Sequence, residues 1–304
     1  MHQRPFYLTL RALLSALLLL LFATQAQANA EPKAYQVTAA DGVQLAVQES
    51  GNPQGQPIIL IHGLLGSRLN WSKQLQDPAL QQYRLITYDL RGHGLSSKPD
   101  SAEAYTDGRR WADDLNAVIT ATKAVKPVLV GWSLGGAVIS NYLTYYGDKN
   151  LSGAMYVDGV IELKADQITS HPAVYRDMIS TDLQTHLEGE RTFLRLCFNQ
   201  QPDQDTFDLL LANAALASWQ MQQSVQSMSV AAEQGLGKAQ VPIMLIYGEK
   251  DALVMPTAAI ARAREFNKNI QTSLYANSGH APFLEEAERF NQDLLHFVKK
   301  ATSH

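Results

Sequence analysis

Five short apolar runs, each breaking off into a polar, glycine-bearing loop, constrain this chain more than any other feature. They occupy residues 57–61, 83–88, 128–130, 151–157 and 241–247. The unbroken hydrophobicity of 57–61 marks a strand buried on both faces, and the others, though interrupted at Arg84, Thr87 and Ser152, read as strands too. Helical spacing fills the gaps: 106–124 sets Trp111, Leu115, Val118 and Ile119 on one face, 137–146 follows the third run, and 256–266 and 285–300 come later. Such alternation predicts an α/β fold built on a mostly parallel, doubly wound sheet. In such sheets the functional side chains gather at the carboxyl ends of the strands. Here those ends carry His62, Asp89, Ser133, Asp158, Asp251 and, after a further strand at 270–275, His280. Upstream, Tyr35 and Val37, then Val43, Leu45 and Val47, alternate around Asp41-Gly42, which predicts a hairpin at the sheet edge. Residues 160–238 interrupt the alternation. They hold no strand-like run, and Phe193, Leu194, Leu196, Cys197, Phe207 and Leu210 recur at helical spacing. The expected organisation is a core of 31–159 and 239–304 with a helical cap inserted at 160–238.

Composition narrows the class. With 304 residues, 46% hydrophobic and 18% charged, the chain can bury one large core without staples. A net charge of −4 without a basic patch argues against a nucleic-acid partner. Cys197 is the sole cysteine, so no internal disulfide can form, and it reads as a packed helix residue rather than a nucleophile. Residues 1–30 stand apart from the fold. Arg4 and Arg11 precede an apolar stretch at 12–22, and Ala28-Asn29-Ala30 ends a small, polar segment. That is the pattern of a secretory signal cut after Ala30, with Ala26-Gln27-Ala28 as the alternative site. The apolar stretch is short for a membrane span, and no cysteine follows to take a lipid. The expectation is an exported protein, periplasmic or secreted, with no stable membrane insertion after cleavage.

The third run ends in Gly131-Trp132-Ser133-Leu134-Gly135 and passes straight into a helix. The G-x-S-x-G spacing suits a strand-to-helix turn too tight for side chains at the glycines, with a strained serine between them. The helix N-terminus behind it aims backbone N–H groups at whatever the serine attacks. A serine hydroxyl needs an adjacent base. His280 can take that proton and return it to a leaving group, and an aspartate can hold the imidazole in one tautomer. Asp251 is the expected acid. Asp158, which ends the strand after the elbow helix, is its rival. His62 and His93 read as structural hydrogen-bonding residues, and Asp89 as a tie for the backbone amides of its own loop. Trp132, beside the serine, is expected at the substrate pocket, with packing beneath the elbow as the alternative. No cluster with metal-ligand spacing is visible, so neither metal nor cofactor is expected.

Five stretches in one order resemble the α/β-hydrolase fold over residues 34–300: Ile61-His62-Gly63-Leu64, the run from Tyr88 through Asp89-Leu90-Arg91-Gly92-His93-Gly94 to Ser96, the elbow, Gly248-Glu249-Lys250-Asp251, and Gly279-His280-Ala281-Pro282 with Glu285. Within that fold they are most similar to carboxylesterases, arylesterases and cofactor-free haloperoxidase-like perhydrolases. The resemblance implies an oxyanion hole made of the Leu64 and Leu134 N–H groups. A serine rather than an aspartate at the elbow implies acyl transfer on a small-molecule ester or thioester. Two other readings fit the same residues: a perhydrolase, lactonase or carbon–carbon bond hydrolase on the same triad, and a ligand-binding protein that kept the fold without turnover. Sequence alone leaves the oligomeric state open.

Overall fold

A computed structural model describes residues 31–303. The expected signal segment, 1–30, lies outside them.

Eight strands form one sheet: β1 (Lys33–Thr38), β2 (Gln44–Gly51), β3 (Pro57–Ile61), β4 (Arg84–Tyr88), β5 (Val128–Trp132), β6 (Gly153–Val157), β7 (Ile243–Gly248) and β8 (Gln271–Tyr275). Their spatial order is β1-β2-β4-β3-β5-β6-β7-β8. β1, β2 and β4 pair antiparallel, and every pairing from β4 onward is parallel. The edge hairpin turns through Gly42 at φ 87°, where the Val43 amide donates to Asp41 Oδ1.

The chain steps outward from β3 to β4, then returns to lay β5 on the other side of β3. That reversal is the switch point at which such sheets open a crevice. The register Ile61↔Gly131 puts the β3 and β5 exits side by side there.

Side chains alternate between two buried layers, as the two-residue period of a strand requires. Ile59, Ile61, Leu129, Tyr156 and Leu245 face α1 (Gly108–Thr122), α2 (Leu134–Tyr146) and α7 (Pro256–Phe266). Ile58, Leu60, Val130, Val157 and Ile246 face Trp71, Phe283 and the last helix, α8 (Ala287–Ala301). Between β6 and β7 lie α3 (Pro172–Met178), α4 (Leu183–Leu196), α5 (Gln204–Ala214), α6 (Trp219–Ser224) and short turns. They join both layers, with Phe193 and Leu210 on one side and Met221 and Val225 on the other.

Two of the helix bounds that differ from their spacing do so for evident local reasons. Asp107 is extended and its carboxylate accepts the Arg109 amide, so α1 starts at Gly108 instead of running from 106. The final helix, expected as one piece from 285, breaks at Glu286 (φ −124°), because Glu285 turns back toward Gly279.

Candidate active site

The elbow is built by what its glycines exclude. A Cβ at Gly131 would sit 2.5 Å from the Gly135 carbonyl, and one at Gly135 would sit 2.6 Å from the Ile61 carbonyl. Ser133 takes φ 53°, ψ −115°, a conformation that costs an L-residue about 1–3 kcal/mol. Backbone bonds hold it there: its amide donates to the Val157 carbonyl at 3.0 Å, and its carbonyl accepts from Gly136 and Val160, each at 2.9 Å.

Facing it is the β3 exit loop. His62 is fully buried. Its Nε2 accepts from the Leu90 amide at 2.9 Å, which leaves the proton on Nδ1 to donate to the Gly63 carbonyl at 2.8 Å. Burial lowers its pKa to about 4, so the ring stays neutral and acts as a strut. His93 packs against it edge-on with ring centroids 5.0 Å apart, and burial, with His62 beside it, lowers its pKa to about 3. Asp89 takes the Arg68 amide on Oδ1 and the Leu95 amide on Oδ2, both at 2.9 Å, and so ties two loops together. These residues serve the loops, as their positions led one to expect. Leu64 and Leu134 line the same cavity as Ser133, and neither backbone amide donates a hydrogen bond to another described residue.

His280 Nδ1 donates to Asp251 Oδ2 at 2.7 Å, with both side chains buried. Asp251 Oδ1 accepts the amides of Leu253 and Val254 at 2.8 and 3.0 Å. His280 Nε2, at the far side of the ring, is buried without a partner. The Trp132 indole donates to the His280 carbonyl at 2.6 Å, and the His280 amide donates to the Cys197 carbonyl at 3.0 Å. His280 is therefore gripped by the elbow on one side and by the end of α4 on the other.

That contact corrects the expectation for Trp132. It does not line the cavity: its ring packs on Phe283 at 5.0 Å and lies beneath the His280 loop. The indole N–H has a carbonyl to satisfy, and the ring belongs to the layer that holds Val130 and Phe283.

The cavity at Ser133 is small, about 70 Å³. Leu64 and Leu134 line it from the core, and Leu163, Phe193 and Val225 from the helical insert. Tyr175 and Gln226 are the polar groups on that wall besides Ser133. It adjoins a more open vestibule whose lining includes the polar residues Lys164, Ser170 and His171.

Glu285 was visible in the sequence only as part of the histidine motif. Its Oε1 accepts the Gly279 amide at 2.8 Å, and its Oε2 accepts the amides of Asn199 and Gln200 at 2.9 and 2.8 Å. One carboxylate thus staples the histidine loop to the insert. An acid five residues after a loop histidine was the only signal. Its partners, about 85 residues away, could not be read.

Asp158 also enters the site. Its ligand atoms and those of Asp251 and His280 lie within 4.8 Å of one another, the only such trio among the described residues. Protein donors already occupy both Asp251 oxygens, and Asp158 Oδ1 accepts the Gly248 amide. His280 Nδ1 is engaged as well. The trio is arranged to share protons rather than to cage a cation. Cys197 is buried beside it, and burial with the neighbouring carboxyls pushes its thiol well above the ordinary range, which leaves it inert.

A family model described as the α/β hydrolase fold matches residues 56–287. A solved structure of a candidate aryl esterase from Burkholderia cenocepacia is 71% identical, covers 90% of this chain and 100% of its own, and has a TM-score of 0.89. An esterase from Rhodococcus sp. ECU1013 is 26% identical, over 88% of this chain and 98% of its own, with a TM-score of 0.81. The bifunctional esterase/perhydrolase of Acinetobacter calcoaceticus is 26% identical over 280 residues, 86% of this chain and 99% of that one.

Proposed function

The chain belongs to the α/β-hydrolase fold family, and on that premise we propose that it is an exported serine hydrolase cleaving small carboxylic or thio esters through an acyl-enzyme on Ser133. One observation carries the reading. A buried Asp251–His280 hydrogen bond leaves the far ring nitrogen without a partner, in the same site as a strained serine that lines an apolar cavity.

The reaction follows from those atoms. His280 Nε2 takes the Ser133 proton as Oγ attacks the ester carbonyl, and Asp251 stabilises the imidazolium. The Leu64 and Leu134 amides receive the oxyanion, and losing one such donor costs about 3–4 kcal/mol of transition-state stabilisation. His280 returns the proton to the departing alcohol or thiol. Water, deprotonated by the same nitrogen, then releases the acid. The apolar wall favours a small to medium, uncharged acyl group.

A fluorophosphonate probe tests the reading. The folded wild type should label, and Ser133→Ala should not. A folded wild type that stays unlabelled and leaves nitrophenyl esters intact overturns it.

A second reading draws on the Acinetobacter relative, whose name reports perhydrolysis as well as ester hydrolysis. Hydrogen peroxide would then replace water in the second half-reaction, giving a peracid and free Ser133. Product analysis with ester and peroxide together distinguishes the two. Neither half-reaction calls on a metal, so a chelator should leave turnover unchanged. Export rests on the signal pattern in 1–30. The mature protein recovered from an exporting host should begin at Glu31.

A further inference from the structure

Asp158 is the buried acid that the proposed reaction leaves without a task. It ends β6 at φ 43°, a left-handed bend unusual for a non-glycine residue. The bend turns a fully buried carboxyl toward the acid loop. Its Oδ1 accepts the Gly248 amide at 2.8 Å, and its Oδ2 is buried with no conventional partner. Asp251 stands beside it, with His280 beyond.

The groups facing Asp158 are few. Asp251 and Glu285 come from the β7 and β8 exit loops, and no lysine or arginine among the described residues forms an ion pair with it. The Tyr247 hydroxyl, on β7, donates to the Gly159 carbonyl instead. The Cys197 thiol, at the end of α4, is neutral. Two carboxylates cannot both stay charged side by side in so dry a place. Asp251 receives three donors: the Leu253 and Val254 amides and His280 Nδ1. Asp158 receives one. The anion is therefore best solvated on Asp251, and the shared proton falls to Asp158.

We propose that Asp158 is a positioning residue: it holds a proton at neutral pH and donates it from Oδ2 to the Asp251 carboxylate, keeping that carboxylate in line with His280 Nδ1. The proposal rests on Asp251 acting as the triad acid. No bond to substrate is involved. Asp158 acts through Asp251, which acts through His280. Burial first, then the Asp251 charge, raises the Asp158 carboxyl well above its ordinary range. The sign follows. The protonated form supports turnover, so this contribution is complete at low and neutral pH and is lost as pH rises through the folded value.

The test compares wild type, Asp158→Asn and Asp158→Ala on p-nitrophenyl acetate from about pH 6 to 10. Asparagine can accept the Gly248 amide and donate to Asp251, but it cannot ionise. Asp158→Ala should lose about 10- to 100-fold in kcat with little change in KM, the scale of a lost hydrogen bond to a charged group. Asp158→Asn should recover most of that loss and lack the alkaline fall of the wild type. An infrared carbonyl band of a protonated carboxyl should be present in the neutral wild type and absent from both variants. The proposal fails if that band persists in Asp158→Asn, or if Asp158→Asn shares the wild-type alkaline profile. It fails too if Asp158→Asn falls as far as Asp158→Ala. Should Asp158→Ala not fold, the band and the Asp158→Asn profile still decide. Absence of ester turnover in the wild type would instead count against the hydrolase reading, which the infrared band does not depend on.

Discussion

At the residue scale the site depends on Ser133 being held where serine does not rest. Its φ of 53° is forced by the strand behind it and the helix ahead. Glycine adopts that conformation freely, so Ser133→Gly should abolish turnover and yet raise stability by about 1 kcal/mol, strain relief less the entropy glycine adds to the unfolded chain. A urea titration reads this, and a drop in the midpoint would mean that Ser133 is not strained. Asp251→Asn tests the other end of the chain. The amide leaves the packing intact but lets the imidazole settle in the wrong tautomer, and kcat should fall by about 10⁴. A loss of less than about tenfold would show that Asp251 does not orient His280. Trp132 shows how far adjacency in sequence misleads at this scale. Trp132, next to Ser133 in the chain, packs on Phe283 and donates to the His280 carbonyl.

At the element scale, the histidine loop is held by three others. The elbow strand supplies the Trp132 indole, α4 ends on the Cys197 carbonyl, and the loop's own following turn supplies Glu285. The insert is thus tied to the His280 loop by hydrogen bonds as well as by packing. Glu285→Ala leaves the Gly279, Asn199 and Gln200 amides without their shared acceptor. It should cost about 2–4 kcal/mol of stability and lower kcat through a less ordered His280. Denaturation and nitrophenyl ester kinetics on the one variant check both, and an unaltered kcat would separate the staple from catalysis. Gly248 marks the other close approach. A Cβ there would lie 1.9 Å from the Gly279 carbonyl, so the acid and histidine loops can meet only across a glycine.

At the scale of the whole molecule, buried histidines set an acid limit. An unfolded histidine titrates near 6.5, whereas the folded chain holds His62 to about 4 and His93 to about 3. As pH falls below 6.5 the unfolded chain takes protons that the folded one refuses. This contribution is complete above 6.5 and lost as pH falls toward the folded values. For His62 alone the displacement corresponds to about 3 kcal/mol. Urea midpoints should therefore decline steadily from about pH 7 to 4.5, and less steeply for His93→Gln. A flat profile would mean that these rings are hydrated.

What the sequence determined by itself is local and periodic. Apolar runs are strands because both faces are buried, and the glycines of the elbow, of the β3 exit and of Gly248 mark where backbones touch. The order of Ser133, Asp251 and His280 at strand exits follows from that pattern, because strand ends are visible as breaks in hydrophobicity. Tertiary structure decided what depends on approach between distant segments. The choice of Asp251 over Asp158 as the partner of His280 turns on a 2.7 Å contact between two loops. So does the Glu285 staple to Asn199 and Gln200. The bend that brings Asp158 beside Asp251 is likewise a matter of one dihedral angle, φ 43°. Spacing along the chain carries no record of such contacts, because the sheet order that makes them is fixed by packing across the whole core.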